Sequence, residues 1–179
     1  MNKKSLNNHL LIAMPHLKDT IFNKSVILIC DHNKEGTMGF ITNKPIIKNK
    51  ISDELFEKFK SNIYFGGPVS IETCYIIHDN KYALNDSNNI SNQLLFTSTK
   101  QIVKDIEKGC GPKKFKFHMG YAGWTSGQIE EEIKNGDWLA IPNPKNFIFD
   151  ISDEEKWLYA INKLGIDLQD YWSTISGQA

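Results

Sequence analysis

The sequence predicts an α+β (mixed α/β) fold, a compact mixed β-sheet with flanking helices. Three observations predict it. Strand-like and helix-like segments mix along the 179 residues without strict alternation, which argues against a doubly wound parallel sheet. Apolar residues make up 40% of the chain, enough for a packed core and too many for disorder by composition. The run "SVILICD", Ser25–Asp31, is apolar on both faces, as a strand covered on both sides should be. The length suits one domain, expected over residues 9–179 after a flexible N-terminus at 1–8.

The first strand is read in "HLLIAMP", His9–Pro15. Ser25–Asp31 is the second. "NKEG", Asn33–Gly36, has turn composition, and Thr37–Asn43 returns, so 25–43 forms a hairpin that Pro45 ends. Ser52–Lys60 has an acidic first turn and a basic last turn, which suits a helix dipole. "NIYFGGPV", Asn62–Val69, reads as a short strand broken by Gly66, Gly67 and Pro68, and Thr73–Asp79 as another. Polar residues 80–92 form a loop.

"LLFTS" leads from a strand into a helix with Ile102, Val103 and Ile106 inward, and Ser98 with Gln101 fits its capping box. Gly109 and Pro112 stop that helix. Lys114–Ala122 alternates as a strand does, and a helix follows over about Ser126–Asn135. "DWLAIP" and "NFIFD" read as short strands. Ser152 and Glu155 cap a final helix bearing Trp157, Leu158, Ile161 and Leu164, closed by Gly165.

Charge narrows the function classes. All 21 positive residues are Lys and balance 21 acids, so the net charge is zero. Such a balance gives no electrostatic footprint for nucleic acid, and the absence of Arg removes the usual reader of guanine and phosphate. No direct nucleic-acid partner is expected. No apolar run approaches the length of a membrane span, and the start lacks the cleavage pattern of a signal peptide. Cys30, Cys74 and Cys110 are odd in number and widely spaced, which suits reduced thiols in a cytoplasm.

Several constellations bear on chemistry. Cys30 and His32 stand two apart in a strand and so share a face, where an imidazole lowers a thiol pKa. Cys74 and His78 share a face by the same period, and the four groups together would suit zinc if their strands were neighbours. The competing reading, a small core residue in an apolar strand, leads for both cysteines. No metal and no cofactor are expected. Gly66, Gly67, Gly120 and Gly123 each follow a strand, where glycine permits positive φ or the close approach of a ligand. Beside Trp124, Thr125 and Gln128 match a capping box, which places a helix N-terminus and its free amides there. A structural turn is the favoured reading. Asn43 and Lys44 follow the hairpin, and Lys44 would meet an anion near the glycines. Glu130, Glu131 and Glu132 spread around a helix as a solvated face. The common hydrolase signatures do not occur.

The stretch "LLIAMPHLKDTIFNKSVILICDHNKEGTMGFITNKP", followed in order by "GGPV", "LLFTS", "GYAGWTSGQIEEEI" and "GDWL", resembles the AlgH/YqgE family of bacterial proteins. The similarity runs from about His9 to the terminal "GQA", where the family often has Gly-His-Ala and this chain has Gln178. The resemblance implies a compact mixed-sheet fold and a link to transcriptional regulation, and it transfers no catalytic residue. The resulting expectation is a cytoplasmic regulator, leaning away from an enzyme. It would act indirectly through a small ligand or a protein at Asn43, Lys44, Gly66, Gly67, Gly120, Gly123 and Trp124. The alternative is a thiol enzyme or redox sensor using Cys30 and His32.

Overall fold

The computed structural model describes residues 5–46, 58–59 and 62–169. The helix expected over Ser52–Lys60 lies outside the described residues, apart from helical Lys58 and Phe59, as do Gln178 and the first four residues of the N-terminus.

Nine strands are described: β1 (His9–Ala13), β2 (Val26–Asn33), β3 (Gly36–Ile41), β4 (Ile63–Phe65), β5 (Val69–Asp79), β6 (Asn88–Asn89), β7 (Leu94–Thr97), β8 (Phe115–Thr125) and β9 (Trp138–Pro142). The helices are α1 (Lys100–Glu107), α2 (Gln128–Lys134), α3 (Phe147–Asp150) and α4 (Asp153–Lys163). The strands form one curled sheet in the order β6-β7-β5-β8-β3-β2-β1-β9, with β4 paired to β8. Every described pair is antiparallel except β4 with β8, so one pair makes the sheet mixed. The α+β expectation is met.

Burial follows the hydrophobic pattern. Val26 to Cys30 are all buried, and each of the four aliphatic side chains among them contributes roughly 1.5–3 kcal/mol by leaving water. Val26, Leu28 and Cys30 pack on one face with Leu10, Ile12 and Phe40, beneath Phe147 of α3 and Trp157 and Ile161 of α4. Ile27 and Ile29 pack on the other face with Leu11, Trp124, Trp138 and Ile129 of α2. Ile102 of α1 covers the β5–β8 part of the sheet, against Ile76 and Phe117.

The insertion of β4 matters most for the site. Strands β3 and β8 pair only from Gly36–Gly39 to Ala122–Thr125. Beyond that they part, and β4 enters between β8 and the chain that follows β3. Its Tyr64 pairs with His118 on one side and bridges Pro45 on the other.

Four local expectations are corrected. "NFIFD" is not a strand but the single helical turn α3, entered through Asn146 at φ 65°. A short apolar run has no periodicity to separate the two, and adjacent Phe147 and Ile148 are both buried. Helix α1 starts after Thr99 with no side-chain cap, because Gln101 turns to Asp105 (2.8 Å) rather than back to Ser98. Gln128 does reach back, accepting from the Thr125 amide at 3.0 Å. Thr125 still belongs to β8, however, and the helix begins after Gly127, two residues later than expected. The final helix starts after Ser152 and ends at Gly165 (φ 71°) as expected, but the Ser152 hydroxyl donates to the Glu155 carboxylate at 2.6 Å and no side chain caps the amides of the first turn.

Candidate functional site

The thiol–imidazole pair does not form. A β-bulge lies between Ile29 and Asp31, leaving Cys30 as the extra residue. An inserted residue breaks the period of two. Cys30 therefore stays with Leu28 in one core face, its thiol directed at the Leu28 carbonyl (3.5 Å). His32 instead turns to the face of α2, where Nε2 lies 3.5 Å from Glu130 and Nδ1 accepts the Leu6 amide at 2.7 Å. Burial, with help from Asp31, pushes the Cys30 thiol well above its ordinary range, the opposite of an activated nucleophile.

The zinc arrangement fails on topology. Strands β2 and β5 are separated by β8 and β3, and no group of three or more possible ligands converges among the described residues. His78 is buried with its ring bonded to Thr97 Oγ1 (2.9 Å) and the Asp79 carbonyl (3.0 Å). Burial pushes the Cys74 thiol up to about 12.

The glycines serve backbone crossing. A Cβ on Gly66 would lie 2.2 Å from the Gly120 carbonyl oxygen, and one on Gly67 would lie 2.1 Å from the Tyr121 carbonyl carbon. A Cβ on Gly120 would stand 2.5 Å from Gly67 O and 2.7 Å from Val69 O. Two chain segments, 66–69 and 120–121, thus pass at main-chain distance, which no larger residue permits. Gly120 also has φ 68°, and this kink shifts the phase of β8. His118 before it and Tyr121 after it both pack toward the Phe40–Tyr75 face, against the alternation of an unbroken strand. Gly123 lies against the Tyr121 ring.

Asn43 and Lys44 lie where the polar groups do converge. Asn43 ties the start of the hairpin, accepting the Val26 amide and donating to the Lys24 carbonyl, both at 2.9 Å. Lys44 donates to the Ile21 carbonyl. Burial lowers its pKa, opposed by Asp19. Both side chains border an open pocket of about 300 Å³ that also takes in Lys24, Asp153, Glu154 and Trp157.

Behind this pocket lies a buried charged cluster. Lys156 of α4 is fully buried, 2.5 Å from Asp153 Oδ1 and 3.2 Å from the Thr42 carbonyl. From β8, Lys116 Nζ donates to Tyr64 Oη (2.5 Å) and lies 3.3 Å from the same Asp153 oxygen. The Tyr64 hydroxyl in turn donates to Asp153 Oδ2 at 2.9 Å. His118 stacks on the Tyr64 ring, with centroids 5.5 Å apart. Its Nδ1 donates to the Lys116 carbonyl (3.2 Å), and its Nε2 is buried with no hydrogen-bond partner among the described residues.

The protonation states follow from burial and charge. Burial, then the Lys156 ammonium, brings Lys116 down to about 8. Burial, then Lys116, brings His118 down to about 3, so its imidazole is neutral at pH 7. Burial raises the Tyr64 phenol, and Asp153 adds to the rise. For Asp153, burial pushes upward, but the hydrogen bond and charge of Lys156 outweigh it and hold the carboxyl below its usual value. Two cations sharing one carboxylate leave this region with an excess of buried positive charge.

A family model described as AlgH-like (DUF179) matches residues 10–169. The chain belongs to the AlgH-like family. It is similar to a UPF0301 protein of Saccharophagus degradans, 39% identical over 92% of this chain and 84% of that one. A UPF0301 protein of Hahella chejuensis is also 39% identical, over 98% and 97%. Among solved structures, the solution structure of AlgH from Pseudomonas aeruginosa superposes with a TM-score of 0.75 at 30% identity, covering 100% of this chain and 98% of that one. A crystal structure from Corynebacterium diphtheriae shares the fold at 19% identity, with a TM-score of 0.71 over 90% and 88%.

In this AlgH-like chain the "GYAGWTSGQIEEEI" segment holds a second polar centre. Glu132 Oε2 accepts the indole N–H of both Trp124 (2.8 Å) and Trp138 (2.9 Å), while its Oε1 accepts from Gln128 (2.9 Å). Glu132 thus departs from the solvated acidic face. One carboxylate fastens β8 and β9 to α2, and the adjoining cavity measures about 250 Å³. Sequence reading missed Glu132 as an anchor, and it missed the whole Lys116–Asp153–Lys156 cluster. The one available signal was a lysine, Lys156, on a helix next to Trp157.

Proposed function

We propose that this AlgH-like protein is a non-enzymatic cytoplasmic regulator, acting indirectly on gene expression through a small ligand bound beside Asn43 and Lys44. The observation that carries this reading is the pocket of about 300 Å³ bordered by those residues. Its size matches the small end of ligand sites. It offers two ammonium groups, two carboxylates and one indole face, which suits a small ligand of mixed charge. Lys24 already lies over the Trp157 ring, 5.6 Å from its centroid, so the indole face attracts cations. The cluster behind is locked in mutual hydrogen bonds, an arrangement that supports a rigid pocket wall rather than proton transfer.

A screen of small zwitterions and organic acids followed by NMR tests this. The expected result is a dose-dependent shift of the Trp157 indole N–H, lost when Leu158→Arg blocks the rim. A screen that moves no resonance of the pocket refutes the ligand. Shifts appearing only with added protein, spread over a flat face, transfer the reading to a protein partner.

A further inference from the structure

A second cavity, larger than the Lys44 pocket, lies elsewhere, and we infer that it binds a phosphorylated small molecule of nucleotide size. It measures about 700 Å³, well inside the range of small-molecule sites. It lies on the seam where the two ends of the curled sheet meet. One wall comes from the end of β5 and the loop before β7, and the other from the segment between β9 and α3. Leu94, Phe147 and Ile148 of the shared core close its floor.

The charge of this cavity is one-sided. Lys81, Lys113, Lys114 and Lys145 line it, against a single acid, Asp79. In a chain of zero net charge, that excess is local. The Asp79 carboxylate is already engaged, accepting the Lys81 and Lys114 amides at 3.0 Å each. Lys114 Nζ pairs with Asp150 at 2.7 Å. Lys81, Lys113 and Lys145 are exposed and make no ion pair among the described residues.

Between the lysines the cavity presents amides. Asn80 is fixed by its bond to the Asn92 carbonyl (2.6 Å), and Asn143 by its bond to Asn8 (3.0 Å). Lysine acts as a point charge that suits phosphate oxygens in many orientations, whereas a bidentate carboxylate site would call for the Arg this chain lacks. Amides both donate and accept, as the uncharged body of a nucleotide requires. This site is separate from the Lys44 pocket, and neither depends on the other.

Titration with tripolyphosphate and with ATP, read by amide NMR at low and moderate salt, tests the inference. Both should bind and shift Asn80, Asn92 and Asn143, with ATP tighter because the amides hold its body. The double variant Lys81→Gln/Lys145→Gln should weaken ATP at least tenfold with an unchanged Tm, since both lysines are exposed. Lack of perturbation at millimolar ATP overturns the inference. So do shifts centred on Lys24 and Lys44, or binding indifferent to the double variant. Binding of a single-stranded oligonucleotide without binding of ATP would also overturn it and would reassign the groove to nucleic acid.

Discussion

Lys156 is fully buried, and its ammonium lies 2.5 Å from the carboxylate of Asp153, one turn back on the same helix. The pair holds α4 to the sheet, because Asp153 also receives Lys116 from β8 and Tyr64 from β4. Removing one partner of a buried pair leaves a bare charge, at a cost of about 3–5 kcal/mol. Asp153→Ala strands two lysines and should fall in that range. Lys156→Met leaves Asp153 still paired with Lys116 and fills the space with a similar apolar chain, so its cost should be clearly smaller. Urea denaturation of both variants checks the order, and equal losses would contradict the network.

The buried histidine sets a pH dependence of known sign. His118 stays neutral in the folded protein down to about 3, whereas an unfolded imidazole protonates near about 6.5. Between these values the unfolded chain binds the extra proton. Stability should therefore fall as pH drops from about 6.5, with a slope of up to about 1.4 kcal/mol per unit. His78, lowered by burial, adds in the same direction. His118→Phe keeps the stacking and removes the proton site. Its denaturation midpoint should vary less across pH 4.5–6.5 than that of the parent.

Lys116 acts in the alkaline range. It titrates near about 8 when folded and near about 10.4 when unfolded. The unfolded chain again holds the extra proton, so stability should rise with pH across this window. Lys116→Met should remove the rise. Thermal unfolding at pH 7.5, 9 and 10 reads it directly.

The glycine crossing gives a graded pair of substitutions. Gly109 and Gly120 both have positive φ, 75° and 68°, but only Gly120 faces a crowded main chain. Gly109→Ala should lose only the left-handed preference, about 1–2 kcal/mol. Gly120→Ala adds a Cβ 2.5 Å from the Gly67 carbonyl oxygen and should cost more, or prevent folding. Similar losses at the two sites would argue against the crossing.

Thiol accessibility orders the cysteines. Cys110 is exposed, Cys74 intermediate and Cys30 buried. A thiol reagent should modify Cys110 rapidly in the native protein and Cys30 only on unfolding. Rapid labelling of native Cys30 below pH 7 would restore the redox alternative.

The legible parts of the molecule were those fixed by short-range pattern. The doubly apolar Ser25–Asp31 run gave a strand buried on both faces, the "NKEG" turn gave its hairpin, and Gly165 marked a helix end. The illegible parts depended on phase. One extra residue at Cys30 moved His32 to the other face, and one left-handed residue at Gly120 reversed the faces of β8. Neither leaves a signal in a period-two reading, because the spacing in the sequence is unchanged.

The site itself divides in the same way. By itself the sequence determined the α+β class and the family, whereas the crowding that bars a larger residue at Gly66, Gly67 and Gly120 emerged only from the main-chain crossing. The sequence also singled out Asn43 and Lys44, which do border a pocket. Only the tertiary structure decided that Lys116 of one strand, Tyr64 of an inserted strand and Asp153 with Lys156 of the last helix share one buried network. The alternating "KFKFH" reads as a strand, and nothing in it separates exposed Lys114 from buried Lys116 and His118. Whether a lysine is solvated or buried depends on which distant element packs over it, and that is settled by long-range packing rather than by its neighbours in the chain.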